Sequence, residues 1–526
     1  MKNNYLLLFF LLLFSIAVRL PNLDRPISKH HEFCTALTLV TFDIWNKKGA
    51  AHFHYSPVTN YQNPPDLSIN NGTVPFVKDG THYYLSHPPL GFWMPYYTFK
   101  FLGLAHSNRN LQLFNLLFHL LAAICVFFIA EMLLAKTQES VSNPHFHSNK
   151  YAVSPSLIAV GIFLFSPALL WYGCNVYFSD IFVNQLFVIT VWAGLKSKKS
   201  FAQLLQGSSN PSKRLLLKIY AQLLVFNSLV LATMLTEWIG YFLVASVGVY
   251  SLWHFFKQKN PTAKHYHLLQ MGFAALVAIA GMGITFWTYS DILGTEAFLQ
   301  YLKQRFLTRT GQLDSGGMLN TAFFYTKQLI QHYASAYLPI LLLFLVMSFT
   351  YFKKSSRTAF SGIAEQQTLW SYFLWIALPP ILLHHFLFIN YTAIHEYAVV
   401  KMVLPLSMAV AFLYQQIHTD NSLKTKWVKF ALPIVFVTCL LQYFYINRVG
   451  DYSWRGHRYD QFERLGAKIR QTAKADEMVF VEGDIEINFQ LVYYAKRNIW
   501  RYENPEQMEA VLKHFGQSKG IVIKQD

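Results

Sequence analysis

Charge is what this chain has least of. Only 13% of its 526 residues are Asp, Glu, Lys or Arg, about half the share that soluble domains carry. Acid is scarcer than base, with 27 Asp and Glu against 44 Lys and Arg. Cysteine is nearly absent, and Cys34, Cys125, Cys174 and Cys439 share no metal-ligand spacing. Cys34 and Cys174 fall on the same expected face, which leaves a disulfide between them open. No internal repeat and no low-complexity tract is present.

What fills the chain instead is apolar. Hydrophobic residues make up 53%, in runs near the roughly 20 residues that cross a bilayer. The class is therefore an all-α polytopic membrane protein. A net charge of +17 would suggest a nucleic-acid partner in a soluble protein. Here much of the basic excess falls in short loops between apolar runs, where it sets orientation, and no nucleic acid is expected. The N-terminus has a lysine and then an apolar stretch, as a signal peptide would. It runs into Arg19, Leu20 and Pro21 without a small-residue cleavage site, so it reads as a retained first span.

The expected spans are 4–20, 111–134, 152–172, 180–195, 215–235, 238–256, 268–288, 336–352, 368–390, 398–417 and 428–447. The stretch 87–104 is apolar but short, and holds Pro88, Pro89, Pro95 and Lys100. Taken as a surface-lying or re-entrant helix, it leaves Lys and Arg in the inner loops 135–151, 196–214, 257–267, 353–367 and 418–427. The short outer turns then carry no base, and each has an acid: Asp180, Glu237 and Glu396. A twelfth span would invert this positive-inside pattern. Three outer segments are long, 21–110, 289–335 and 448–526. Within the second, 295–310 reads as a basic amphipathic helix suited to anionic headgroups. The chain thus divides into a transmembrane part, 1–447, and a small outer α/β unit, 448–526. In that unit strands are expected at 477–483 and 520–524, and a helix at 506–515.

Ionisable residues gather at the outer ends of the spans, whereas a transporter would place them near the midplane. His119, near mid-span, reads as a hydrogen-bonding partner between helices. After the first span comes His30-His31-Glu32, and Asp180 begins the fourth. Two carboxylates beside an outer cavity can supply a general base and a group that orients an acceptor or holds a cation. Asp180 also reads as a helix N-cap. Glu32 lies among aromatic and apolar residues, where an unpaired carboxylate is costly. In Tyr84-Leu85-Ser86-His87-Pro88-Pro89-Leu90-Gly91, two prolines fix the backbone, start a helix and present His87 at its mouth. Composition alone makes this a Pro-rich loop before an interfacial helix. Arg305, Arg309, His395 and Lys401 add basic groups toward the same side. The arginines read equally well as headgroup anchors, and Lys401 as a snorkelling side chain.

The segment from His87 to Gly91 resembles the HPPL(G) element of the C-type, membrane-embedded glycosyltransferases, which include protein O-mannosyltransferases and lipid A aminoarabinose transferases. In that superfamily an acidic motif follows the first span and an Arg opens the second. An Asp then sits in the second outer loop. His31-Glu32, Arg109 and Asp180 match those places in order, over roughly the first 200 residues. One position departs: His31 stands where the first acid is usual, leaving Glu32 alone.

The resemblance implies an inverting transferase on the outer, periplasmic face of a bacterial cytoplasmic membrane. Its donor would be a polyprenyl-phosphate-linked sugar, and its acceptor a lipid, glycan or protein hydroxyl. Glu32 would take the acceptor proton, and Asp180 would orient the acceptor or support a divalent metal ion. His31, His87, Arg109 and Glu237 would shape the site, with Arg305, Arg309, His395 and Lys401 toward the phosphate. A transporter or flippase of a lipid-linked sugar, and a non-catalytic scaffold, are the rival readings.

Overall fold

The computed structural model describes residues 2–27, 31–66, 76–134, 153–206, 213–312, 318–354, 364–419, 426–449, 460–484 and 486–524. His30, Lys136, Lys150 and the middle of the expected inner loops 196–214, 353–367 and 418–427 lie outside these.

Helices α1 (Lys2–Arg19), α2 (Phe33–Lys48), α3 (Leu90–Leu102) and α4 (Asn108–Leu134) build the first part of the chain, with a hairpin of β1 (Phe76–Lys78) and β2 (Thr81–Tyr83) before α3. There follow α5 (Pro155–Phe165), α6 (Pro167–Tyr172), α7 (Ser179–Gln206), α8 (Lys213–Thr236), α9 (Ile239–Lys257), α10 (Pro261–Leu293), α11 (Thr295–Arg309) and α12 (Met318–Lys354). Helices α13 (Ala364–Leu387), α14 (Ile389–Ile394), α15 (Val403–Thr419) and α16 (Lys426–Val449) complete the bundle. Eight described helical stretches are long and apolar enough to cross a membrane, so the protein is an all-α polytopic membrane protein.

The other three expected spans take different forms. The stretch 152–172 is broken into α5 and α6, because Pro167 holds Ser166 out of the helical region, at ψ 139°. Helix α7 carries Lys196, Lys198 and Lys199, and α16 has a shorter apolar core, Phe430–Phe444. The ambiguous stretch becomes α3, only 13 residues long. At 1.5 Å per residue it covers about 20 Å, short of the roughly 30 Å hydrocarbon layer. It starts directly after Pro88-Pro89 and stops at Gly103, whose φ of 66° is left-handed. All four cysteines are free and buried, so Cys34 and Cys174 are not bridged. His119 Nε2 lies 3.2 Å from Arg19 Nη2, a buried link between α1 and α4.

The C-terminal residues form a three-stranded parallel sheet, in order β4 (Trp500–Arg501), β3 (Met478–Glu482), β5 (Gly520–Lys524), with α17 (Gln461–Thr472), α18 (Phe489–Ala495) and α19 (Pro505–His514). Its apolar core includes Phe462, Leu465, Ile469, Val479, Val481 and Leu491. The unit is clamped to the segment between α1 and α3. The Ile27 N–H donates to Tyr494 Oη at 2.9 Å, Lys496 pairs with Asp43, and the Asn498 N–H donates to Asp66 Oδ1 at 3.1 Å.

Candidate active site

The two residues before the proline pair act as a hub. The Ser86 carbonyl accepts from Trp238 Nε1 and from Arg309 Nη2, each at 2.9 Å. Ser86 Oγ accepts from Arg305 Nη2 at 2.5 Å, and the His87 carbonyl accepts from the Tyr289 hydroxyl. The start of α9, the end of α10 and helix α11 therefore fix one short backbone segment. Arg305 and Arg309 turn inward for this, and of the three bases on α11 only Lys303 is exposed. The expected helix forms at Thr295–Arg309, and two of its three cations bond to Ser86.

Gly91 brings that segment against the loop that leads into α7. Its carbonyl accepts from the Tyr177 hydroxyl at 2.6 Å, and an added Cβ would meet Ser179 Oγ at 2.3 Å. Only glycine allows α3 to lie this close to the start of α7. The approach puts His87 Nε2 3.4 Å from Asp180 Oδ2. Lys401 Nζ donates to Asp180 Oδ1 at 3.0 Å, with both side chains buried. Asp180 thus binds a lysine rather than capping its helix, and Lys401 turns inward rather than snorkelling. Glu237 completes the cluster, accepting from His384 Nε2 at 2.9 Å and from the Ile239 N–H at 2.8 Å.

His87, Asp180 and Glu237 each bring one donor atom within 4.8 Å of the others, close enough to share a cation. The neighbouring charges argue against a metal there. Lys401 already occupies Asp180 Oδ1, and both Glu237 oxygens have donors. A divalent ion would stand beside a fixed ammonium, at a Coulombic cost that burial enlarges. As placed, the residues do not fit a metal; the lysine provides the positive charge.

A cavity of about 500 Å³ opens beside this cluster, walled by Tyr84, His87, Arg305, Tyr391, His395 and Tyr397, among others. Its far side is the C-terminal unit, through Asn488, Phe489 and Asn498. Burial holds His87 down at about 4 against the pull of Asp180, so its imidazole is neutral at pH 7. Its Nδ1 has no hydrogen-bond partner among the described residues. His395 stacks on Tyr397, ring centroids 5.1 Å apart, and burial lowers it to about 4.

The remaining sequence candidates are Glu32, His31 and Arg109. Glu32 is buried and gripped by both terminal nitrogens of Arg25, which itself lies 5.3 Å over the Trp171 ring. His31 packs edge-on to Tyr397 and lies 3.9 Å from Glu396. Burial, with His395 and His332 nearby, lowers it to about 3. Arg109 is exposed on the first turn of α4 and does not line the cavity. Sequence reasoning missed Ser86, Arg25 and Tyr289, which work through backbone contacts and ion pairing that carry no motif. It also missed the cavity wall at 486–499.

No protein-family model and no curated protein sequence matches the chain. Solved structures do. The archaeal oligosaccharyltransferase AglB from Archaeoglobus fulgidus, with an inhibitory peptide and a dolichol-phosphate, aligns at TM-score 0.56 and 11% identity. The match covers 99% of this chain and 69% of that one. ArnT from Cupriavidus metallidurans, bound to undecaprenyl phosphate, aligns at TM-score 0.55 and 12% identity, over 98% of this chain and 89% of that one. The Archaeoglobus enzyme tethered to an acceptor peptide aligns at TM-score 0.50 and 11% identity, over 97% and 68%. At such identities the likeness is one of fold, and both neighbours are C-type glycosyltransferases: this chain has the C-type membrane glycosyltransferase fold.

Proposed function

We propose that the protein is a membrane glycosyltransferase that moves a sugar from a polyprenyl phosphate to an acceptor hydroxyl at the outer membrane face. The observation that carries this reading is the buried Asp180–Lys401–His87 cluster set behind an aromatic and cationic cavity. In the proposed reaction the acceptor oxygen attacks the anomeric carbon, and the carbon–oxygen bond to phosphate breaks. The lipid phosphate leaves with the bonding pair, and configuration at the anomeric carbon inverts.

His87 is suited to receive the acceptor proton. Asp180 lies on the Nε2 side, which directs the Nδ1 lone pair away from it and stabilises the imidazolium that forms. Arg305 and Arg309, on the cavity wall, are placed to meet the departing phosphate. Lys401 balances Asp180 from behind. The fold neighbours bind dolichol-phosphate and undecaprenyl phosphate, which supports a polyprenyl-phosphate donor here.

The test is direct. Purified protein given labelled polyprenyl-phosphate sugar and a membrane extract as acceptor source should release free lipid phosphate and label an acceptor. Movement of intact donor between vesicle leaflets, with no cleavage, would instead identify a flippase.

A further inference from the structure

A second polar cluster lies at the other end of the bundle, unused by the outer chemistry. Lys198 sits five turns beyond Asp180 on α7, about 27 Å away at 1.5 Å per residue. It is only 4% exposed. Its ammonium lies 5.3 Å from the Tyr250 ring, 5.5 Å from Phe201, 5.6 Å from Tyr266 and 5.9 Å from Tyr372. Among the described residues it makes no ion pair or hydrogen bond. Ring faces recover only part of what a buried ammonium loses on leaving water.

This lysine lines a cavity of about 210 Å³ together with His254, Gln258, His267, Glu365 and Thr368. His254 and His267 stack with centroids 5.3 Å apart. His267 is 1% exposed, and its Nδ1 has no partner among the described residues. An unpaired cation and an orphaned ring nitrogen on one cavity call for an oxyanion. Glu365 on the same wall disfavours a dianion and favours a singly charged group.

We infer that this cavity binds the phosphodiester of a phospholipid headgroup, at the membrane face opposite the proposed reaction site. Lys198 supplies the charge, and His267 Nδ1 and the Gln258 amide are the neighbouring donors.

Melting of the full-length protein in neutral detergent, with native mass spectrometry alongside, tests this. The probes are short-chain phosphatidylglycerol and inorganic phosphate, and the variant is Lys198→Met, whose unbranched side chain suits the aromatic cage without charge. Phosphatidylglycerol is expected to raise the wild-type midpoint by several degrees and to leave one lipid bound, whereas inorganic phosphate does little. Lys198→Met should melt no lower than wild type without lipid, and should lose both responses. Should that variant fail to fold, His267→Gln is read in the same way, with weakened lipid retention expected. Equal responses in variant and wild type, or none in either, would overturn the site. An equal response to inorganic phosphate would overturn the phospholipid assignment in favour of a free anion.

Discussion

Two carboxylates compete for the central role, and their partners separate them. Arg25 holds both oxygens of Glu32, a charge-assisted grip that engages one lone pair on each. His87 Nδ1, backed by Asp180, has no such partner among the described residues. His87→Gln and Asp180→Asn are therefore expected to lower turnover by about 100- to 10,000-fold, with donor affinity little changed. Glu32→Gln should cost stability instead, because it leaves Arg25 buried without its counter-charge. Turnover and donor affinity, measured on protein that stays monodisperse in detergent, decide the matter. Loss of turnover in folded Glu32→Gln, with His87→Gln active, would make Glu32 the base. The lysine at Asp180 gives a second expectation, that chelation by EDTA leaves turnover within about twofold, as a fixed ammonium is not removed. The sequence brought His87, Asp180 and Glu237 forward because each stands in a motif or a short outer turn, and Lys401 because it is a base inside an apolar span. Arg25 could not be read that way, since its partner is chosen by the fold.

Among the elements, the contact between the C-terminal unit and the segment between α1 and α3 carries a titratable group. Burial raises Asp66 to about 6, against a hydrogen bond from Asn498 and the nearby Arg497 charge, which lower it. An acid with a raised native value binds more protons folded than unfolded between about 4 and 6. Stability from this group therefore falls as pH rises through that window. Asp66→Asn keeps an acceptor for the Asn498 N–H and removes the buried charge. It is expected to stabilise the protein at pH 7.5 by up to about 3 kcal/mol, with the advantage vanishing near pH 4. Melting of both proteins across this range measures the difference, and a difference independent of pH would refute it. The strands at 478–482 and 520–524 were legible as short β-rich runs, but two-residue β4 and the short helix α18 were not. Helix α12 likewise begins well before the expected span at 336, because the polar stretch 326–333, TKQLIQHY, interrupts its apolar run.

Across the whole molecule, the fold sets two polar clusters at opposite ends of one bundle, and their meaning depends on which end faces outward. The positive-inside expectation from the loop charges has Asp180 outside and Lys198 inside. Both sites would exchange faces if that reading were inverted, and a donor site would then open toward the cell interior. The four native cysteines are buried, so an impermeant thiol reagent meets a quiet background. Gln304→Cys on α11, Glu509→Cys on α19 and Lys259→Cys between α9 and α10 each replace an exposed residue. In intact cells the first two are expected to label and the third only after permeabilisation. Labelling of Lys259→Cys from outside, with Glu509→Cys protected, would invert the topology. The His87–Asp180 cluster would then lie at the inner face, where an acceptor presented from outside could not reach it.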